Sequence, residues 1–136
     1  MSESSRRFGL TVLPGSFAMV RLAADAPLPS WATRGDFFSI TRTRDELSIV
    51  CVAAQVPAGV AAETGWRVLK VAGPFALSEI GVLAALAAPL AKARVSVFAI
   101  STVDTDYLLV SDKSLDAAIV ALRAAGHSVV DDNAIR

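Results

Sequence analysis

The sequence predicts an α+β protein made of two ferredoxin-like units in tandem, of which the N-terminal unit is reduced. The main observation is the predicted order of elements in the second half, β-α-β-β-α-β, which is the split unit of the ferredoxin-like fold. The first half repeats only part of that order, with two or three strands and one short helical segment. We therefore predict two domains, at residues 1–63 and 64–136.

The elements of the first half are short because prolines interrupt them. LTVLPGSFAMVRL (10–22) predicts two short strands or one broken strand around its Pro-Gly pair. Residues 26–36 leave room for about one helical turn. FFSITRTRDELSIVCVA (37–53) alternates as a hairpin does, with its turn at 44–46, and residues 54–65 are expected to join the two halves.

The second half is predicted as strand, helix, hairpin, helix and strand. Ser78 is a natural N-cap for the first helix, and Ser114 for the second. The first helix has apolar residues at helical spacing, and Pro89 should kink it or confine its last turn. Those apolar positions are Ile80, Leu83, Leu86 and Leu90. The predicted elements are the strand at 66–73, the helix at 80–93, the hairpin at 96–110, the helix at 114–126 and the strand at 127–130.

Composition and charge exclude several classes of function. Thirteen basic and thirteen acidic residues cancel, so the positive field needed for non-specific binding to nucleic acid or an anionic membrane is absent. The longest helical run without a charge, residues 80–91, is far short of the roughly 20 residues that cross a bilayer. The N-terminus, MSESSRRFGL, lacks the features of a secretory signal. We expect a short disordered lead-in and a cytoplasmic protein.

The residue inventory offers little for catalysis. A zinc site needs three or four Cys or His ligands, and the chain has one of each, Cys51 and His127. Cys51 lies in the apolar run LSIVCVA and is expected to be a core side chain, and His127 is expected to be an ordinary surface or edge residue. An enzyme that uses Asp106 as a base is the weakest hypothesis, because no activated nucleophile, metal cluster or phosphate-binding loop is visible. We expect no cofactor.

A polar cluster interrupts the predicted hairpin at 96–110. It comprises Ser101, Thr102, Asp104, Thr105 and Asp106, between two apolar arms. Asp104 and Asp106 lie two apart and would share a face, as paired carboxylates or ligands of a hard cation do. The alternative is that Asp104 and Thr105 form the hairpin tip, where Asp satisfies the local backbone. Asp106 borders the apolar arm and is expected to be partly buried, so it needs a cation or several donors.

The start of the first predicted helix is the second irregular feature. Gly81 falls in its first turn, where glycine costs up to about 1 kcal/mol relative to alanine. Without a side chain there, the unpaired N–H groups of the first turn can meet a carboxylate. Glu79 offers an acceptor for an ammonium or guanidinium group. The alternatives are helix packing at Gly81 and a charge preference of helix starts at Glu79.

Together, the polar cluster and the helix start suggest a site for a zwitterion. Backbone N–H groups suit a carboxylate, Ser101 and Thr102 are adaptable hydrogen bonders, and Asp106 or Glu79 suits an amine. A free amino acid has these groups.

The same residues resemble the ACT-domain proteins, specifically the small tandem-ACT branch that includes the cytosolic arginine sensors of the CASTOR type. The stretches that carry the resemblance are FFSITRTRDELSIV, WRVLKV, the GV(x)n-APLA helix and SVFAISTVDTDYLLV, which also looks like the effector-binding repeats of aspartate kinases. The resemblance covers about residues 8–125 and is strongest over 66–110, where the pattern ST-x-x-TD-x-x-LV is specific.

The resemblance implies a regulatory module that binds an amino acid at an interface between ACT units. The implied contacts are Ser101, Asp106 and the helix-start loop, Glu79, Ile80 and Gly81. This chain has two such units where the arginine sensors have four, so an equivalent interface would have to come from a homodimer. The predicted function is a non-catalytic amino-acid sensor or regulatory protein with an unidentified protein partner. The alternatives are a ligand-free dimerisation module and a detached regulatory subunit of an amino-acid biosynthetic kinase.

Overall fold

The computed structural model describes residues 6–76 and 78–131, which form two compact units. The insert unit comprises residues 15–66, and the main unit comprises residues 6–14 together with 67–131. A segment from the N-terminus thus belongs to the same unit as the C-terminal half. The domain boundary after residue 63 stays a prediction.

Eight strands and two α-helices are present among the described residues. In chain order they are β1 (Gly9–Val12), β2 (Phe17–Leu22), β3 (Ser39–Arg42), β4 (Leu47–Val52), β5 (Glu63–Val71), α1 (Val82–Lys92), β6 (Phe98–Ser101), β7 (Asp106–Ser111), α2 (Leu115–Ala124) and β8 (Ser128–Asp131). Short 3-10 turns occupy Ser30–Thr33, Ala53–Gln55 and Asp112–Ser114. No helix in the described ranges is long and apolar enough to cross a membrane.

The insert unit is an antiparallel ladder without an α-helix. β4 pairs with β3 on one side and β2 on the other, and the first residues of β5 add to β2. The predicted hairpin at 37–53 is confirmed by β3 and β4, and the predicted helical turn is the 3-10 turn Ser30–Thr33. Cys51 is fully buried in the core, as predicted, and this burial raises the pKa of its thiol. The core residues are Val20, Ala32, Leu47, Ile49 and Cys51.

The main unit contains the complete β-α-β-β-α-β order and one additional strand. Its strands pair in the order β6-β7-β5-β1-β8, with β1 antiparallel to β5 and parallel to β8. The sequence predicted four antiparallel strands, so the parallel pair and the inserted β1 are corrections. Leu10 and Val12 bury one side of β1, which stabilises the strand between its two neighbours. The α+β fold with one complete and one reduced unit is confirmed.

The two helices cover the core of the main unit, and α1 begins later than predicted. Its N-cap is Gly81, not Ser78, and its buried residues are Val82, Leu86 and Leu90. Ile80 and Leu83, which belong to the predicted apolar spacing, are both exposed. Ile80 lies before the helix, which starts at Val82, and Leu83 lies outside the buried face of the helix. The buried core consists of Leu10, Val12, Leu69, Val71, Val82, Leu86, Leu90, Val95, Leu108, Val110, Leu115, Ala118, Leu122 and Val129.

Candidate functional site

A cavity of about 290 Å³ lies in the main unit between the start of α1 and the turn that joins β6 to β7. Glu79 and Gly81 line it from the helix start, and Ser101, Thr102 and Asp106 line it from the hairpin. The structure therefore brings five of the six predicted site residues to one cavity. The sixth, Ile80, does not line it and is 84% exposed. The remaining lining residues are Phe75, Ala76, Val82, Leu83, Val103, Asp104 and Thr105.

The hairpin side of the cavity is formed by a four-residue turn between the paired ends of β6 and β7. Ser101 and Asp106 are opposite each other in the ladder, and the Ser101 hydroxyl donates to Asp106 Oδ1 at 2.6 Å. Residues directly opposite on one face are the closest side-chain neighbours of a sheet, which explains this pair. The Thr102 N–H donates to the Thr105 carbonyl at 2.8 Å, and the Thr105 N–H donates to Thr102 Oγ1 at 3.2 Å.

Hydrogen bonds connect this turn to the end of β5 and to the loop that follows it. The Phe75 N–H donates to the Asp104 carbonyl at 2.7 Å, and the buried Thr105 hydroxyl donates to the Val71 carbonyl at 2.7 Å. A Cβ on Gly73 would lie 3.0 Å from that Asp104 carbonyl oxygen, so the two backbones approach as closely as glycine allows. The cavity wall is therefore held by contacts from a second segment, not by the turn alone.

The helix wall of the cavity consists of the first residues of α1 and the loop before it. Gly81 has a φ of 85°, a left-handed conformation that glycine adopts without steric cost, and its carbonyl accepts the first helical bond from Ala85 at 3.0 Å. The N–H groups of Val82, Leu83 and Ala84 precede that bond and have no acceptor inside the helix. The positive end of the helix dipole adds to them, so this wall favours an anionic group such as a carboxylate.

The N-terminal segment contributes a residue that the sequence analysis did not identify. Arg6 Nη1 donates to the Ile80 carbonyl at 2.6 Å, and Arg6 Nη2 forms an ion pair with Glu79 Oε2. The guanidinium carbon lies 4.9 Å from the centre of the Phe8 ring. The expected disordered lead-in is therefore wrong for Arg6 and Phe8, and it lies outside the described residues for positions 1–5. No local pattern predicts a contact between residues so distant in sequence.

His127 is a second residue that the structure places differently. It is buried, not a surface or edge residue, and stacks on the Phe8 ring. Its Nδ1 accepts from the Phe8 N–H at 3.1 Å, and its Nε2 lies 3.3 Å from the Ala85 carbonyl. The histidine thus connects the segment that carries Arg6 to helix α1, because both of its nitrogens have backbone partners.

The two carboxylates of the hairpin turn differ in their surroundings. Asp106 is partly buried, as predicted, and accepts from Ser101, while Asp104 is exposed at the tip with Val103. Within residues 6–76 and 78–131, no group of three or more His, Cys, Asp and Glu side chains is arranged to hold a metal ion. Both carboxylates line the cavity, Asp104 from the turn itself and Asp106 from the first residue of β7.

Two family models match this sequence. A model described as the ACT domain matches residues 61–124, and a model described as an N-terminal domain matches residues 15–59. Among curated proteins, the human cytosolic arginine sensor for mTORC1 subunit 1 is 30% identical over 109 residues, which are 74% of this chain and 32% of that protein. The chain thus spans about a third of the length of the curated relative.

Solved structures agree with this fold over most of the chain. A protein from Agobacterium tumefaciens is 41% identical, with a TM-score of 0.89 over 94% of this chain and 96% of that one. The ligand-free regulatory subunit of aspartate kinase from Thermus thermophilus has a TM-score of 0.60 over 86% of this chain and 97% of that one. At 12% identity, that second likeness shows the fold alone.

Proposed function

The chain belongs to the ACT-domain proteins, and on that premise we propose that it is a non-catalytic regulatory or sensor protein that binds a free amino acid. The observation that carries the proposal is the cavity of the main unit, where the start of α1 and the Ser101–Asp106 pair line the same space. Its volume, about 290 Å³, is at the lower end of the range typical of small-molecule sites.

The chemistry of the two walls orients the ligand. Its carboxylate accepts hydrogen bonds from the first N–H groups of α1, where the helix dipole favours negative charge. Its ammonium group binds the Asp106 carboxylate, which Ser101 holds in position through a 2.6 Å hydrogen bond. Charge-assisted hydrogen bonds at both ends give a larger gain than neutral ones, and they select a molecule that carries both charges.

A second copy of the chain completes the proposed site. Three apolar residues of the helix start and the hairpin turn are exposed, and exposed apolar patches mark interaction surfaces. Ile80 is 84% exposed, Val103 is 74% exposed and Leu83 is 38% exposed. A homodimer that covers them would enclose the ligand between ACT units. We also propose that the protein works in the cytoplasm, without cofactor or nucleic acid, and passes the signal to a protein partner.

A thermal-shift screen against the twenty L-amino acids, each at millimolar concentration, tests this function. A ligand at about 100 times its dissociation constant adds roughly 2.7 kcal/mol to the free energy of unfolding. One or a few amino acids are expected to raise the melting temperature by several degrees. Asp106→Asn removes the partner of the ammonium group and is expected to weaken binding about 10- to 100-fold in calorimetric titration.

The matched control is Asp45→Asn, the same chemical change at the exposed turn of the β3–β4 hairpin. It should leave the affinity unchanged. Ser101→Ala is expected to weaken binding less than Asp106→Asn does, because it removes only the group that orients the carboxylate. Retention of no amino acid in equilibrium dialysis would favour the ligand-free dimerisation module instead, and normal affinity in both cavity variants would refute the assigned site.

A further inference from the structure

Glu79 lines the cavity, but a cation of the same chain already binds its carboxylate. Arg6 donates to Glu79 Oε2 and to the Ile80 carbonyl, and it lies over the Phe8 ring. Both charged side chains are about two-thirds buried, at 33% and 36% exposure. Two hydrogen bonds and a ring contact hold the Arg6 guanidinium group beside Glu79 and Ile80.

We propose that Arg6 determines the ligand specificity of this cavity by excluding amino acids with a cationic side chain. The site then takes an amino acid with an uncharged, mainly apolar side chain. This inference rests on the proposed function, because it concerns the same cavity, and it deepens that function by naming the ligand class.

The first reason is the charge on the helix side of the cavity. An unpaired Glu79 carboxylate would attract the ammonium group of lysine or the guanidinium group of arginine. With Arg6 bound to it, that attraction is already satisfied within the protein. A cationic side chain would have to displace Arg6 and break its contacts with Glu79 and Ile80, or lie beside a like charge. Specificity of this kind comes from a repulsive element in the site.

The second reason is the composition of the remaining walls. Phe75, Val82 and Leu83 line the cavity and offer apolar contacts to a ligand side chain. An acidic side chain is disfavoured on the hairpin side, where Asp104 and Asp106 both line the cavity. Once the helix start and Asp106 bind the main-chain charges of the ligand, an uncharged side chain fits the surfaces that are left.

Calorimetric titration of the full chain with L-arginine, L-lysine and each uncharged L-amino acid tests this inference. The wild type is expected to bind an uncharged amino acid best. In Arg6→Gln, the preference for that ligand over L-arginine should shrink about fivefold, the upper range of a partly exposed ion pair. Affinity for the uncharged ligand should change less than twofold.

Two further variants separate specificity from folding. Arg7→Gln, the same change at the exposed neighbouring residue, should leave the preference unaltered. Glu79→Gln should act in the opposite direction from Arg6→Gln, because it leaves the Arg6 charge uncompensated and repels L-arginine more strongly. Opposite shifts in Arg6→Gln and Glu79→Gln cannot arise from a general loss of stability, and melting curves test whether each variant folds.

The outcomes distinguish this inference from the proposed function. If the wild type binds L-arginine or L-lysine best, the specificity role of Arg6 is overturned while amino-acid binding stands. The same holds if Arg6→Gln keeps the wild-type preference. If the wild type binds none of the amino acids, the proposed function fails and this inference fails with it.

Discussion

The two units contain hairpin turns of the same construction. Each turn has four residues between paired strand ends, and each begins with a threonine, Thr43 in the insert unit and Thr102 in the main unit. In both, the threonine N–H donates to the carbonyl of the fourth residue, at 2.9 Å and 2.8 Å respectively. In both, the threonine hydroxyl accepts a backbone N–H of the turn. Only the turn of the main unit lies beside a helix start.

The comparison shows that turn chemistry alone does not form the candidate site. The turn at Thr43 is exposed, and the insert unit contains no α-helix. The turn at Thr102 is bonded to the loop after β5 and faces the N-terminus of α1 across the cavity. The complete β-α-β-β-α-β order is thus what brings an ordinary turn next to backbone donors. The following substitutions test this difference.

The largest effect on stability is expected at Gly73, where the two backbones meet. In Gly73→Ala, the new Cβ would lie 3.0 Å from the Asp104 carbonyl oxygen and 3.0 Å from Thr105 Cβ. Crowding of this kind costs about 1–3 kcal/mol in the free energy of unfolding. Urea unfolding measures the loss, and Ala72→Ser at the exposed neighbour is the control, with less than about 0.5 kcal/mol expected. A variant as stable as the wild type would show that the turn can shift away from residue 73 without a cost in the free energy of unfolding.

A smaller effect is expected from the buried hydroxyl of the same turn. Thr105→Val keeps the side-chain shape but removes the 2.7 Å hydrogen bond to the Val71 carbonyl. The expected loss is about 1–2 kcal/mol, because the Thr105 side chain is buried away from water. Thr41→Val makes the same change at an exposed position of β3 and should cost less than about 0.5 kcal/mol. Equal losses at the two positions would contradict a stabilising role for the hydrogen bond between Thr105 and the Val71 carbonyl.

Local patterns predicted the elements that depend on local interactions. Alternating apolar residues and turn residues predicted both hairpins, and the helical spacing of Leu86 and Leu90 predicted α1. The pairing of β1 was not predictable in this way, because its partners, β5 and β8, are distant in sequence. A four-residue strand carries too little periodicity to show which sheet it joins.

The candidate site shows the same limit. Five of its six predicted residues line one cavity, since each was chosen for a local irregularity in a strand end or helix start. Ile80 does not line that cavity, because the N-cap of α1 is Gly81, three residues after the predicted N-cap Ser78, and Ile80 lies before the helix. Arg6 and His127 were missed because their partners come from distant segments. Contacts of that kind depend on how elements pack, which no single stretch of sequence reveals.

The smallest effect on stability is expected from substituting the equivalent threonines of the two turns. Thr43→Ala and Thr102→Ala each remove a hydroxyl that accepts a backbone N–H in an otherwise equivalent turn. Each is expected to lower the free energy of unfolding by about 0.5–1 kcal/mol, because both threonines are exposed and water replaces part of the lost bond. Ligand affinity should separate them, since Thr102 lines the cavity and Thr43 does not. Titration with the amino acid found in the screen should show weaker binding for Thr102→Ala alone, and an equal effect of both variants would contradict the difference between the two units.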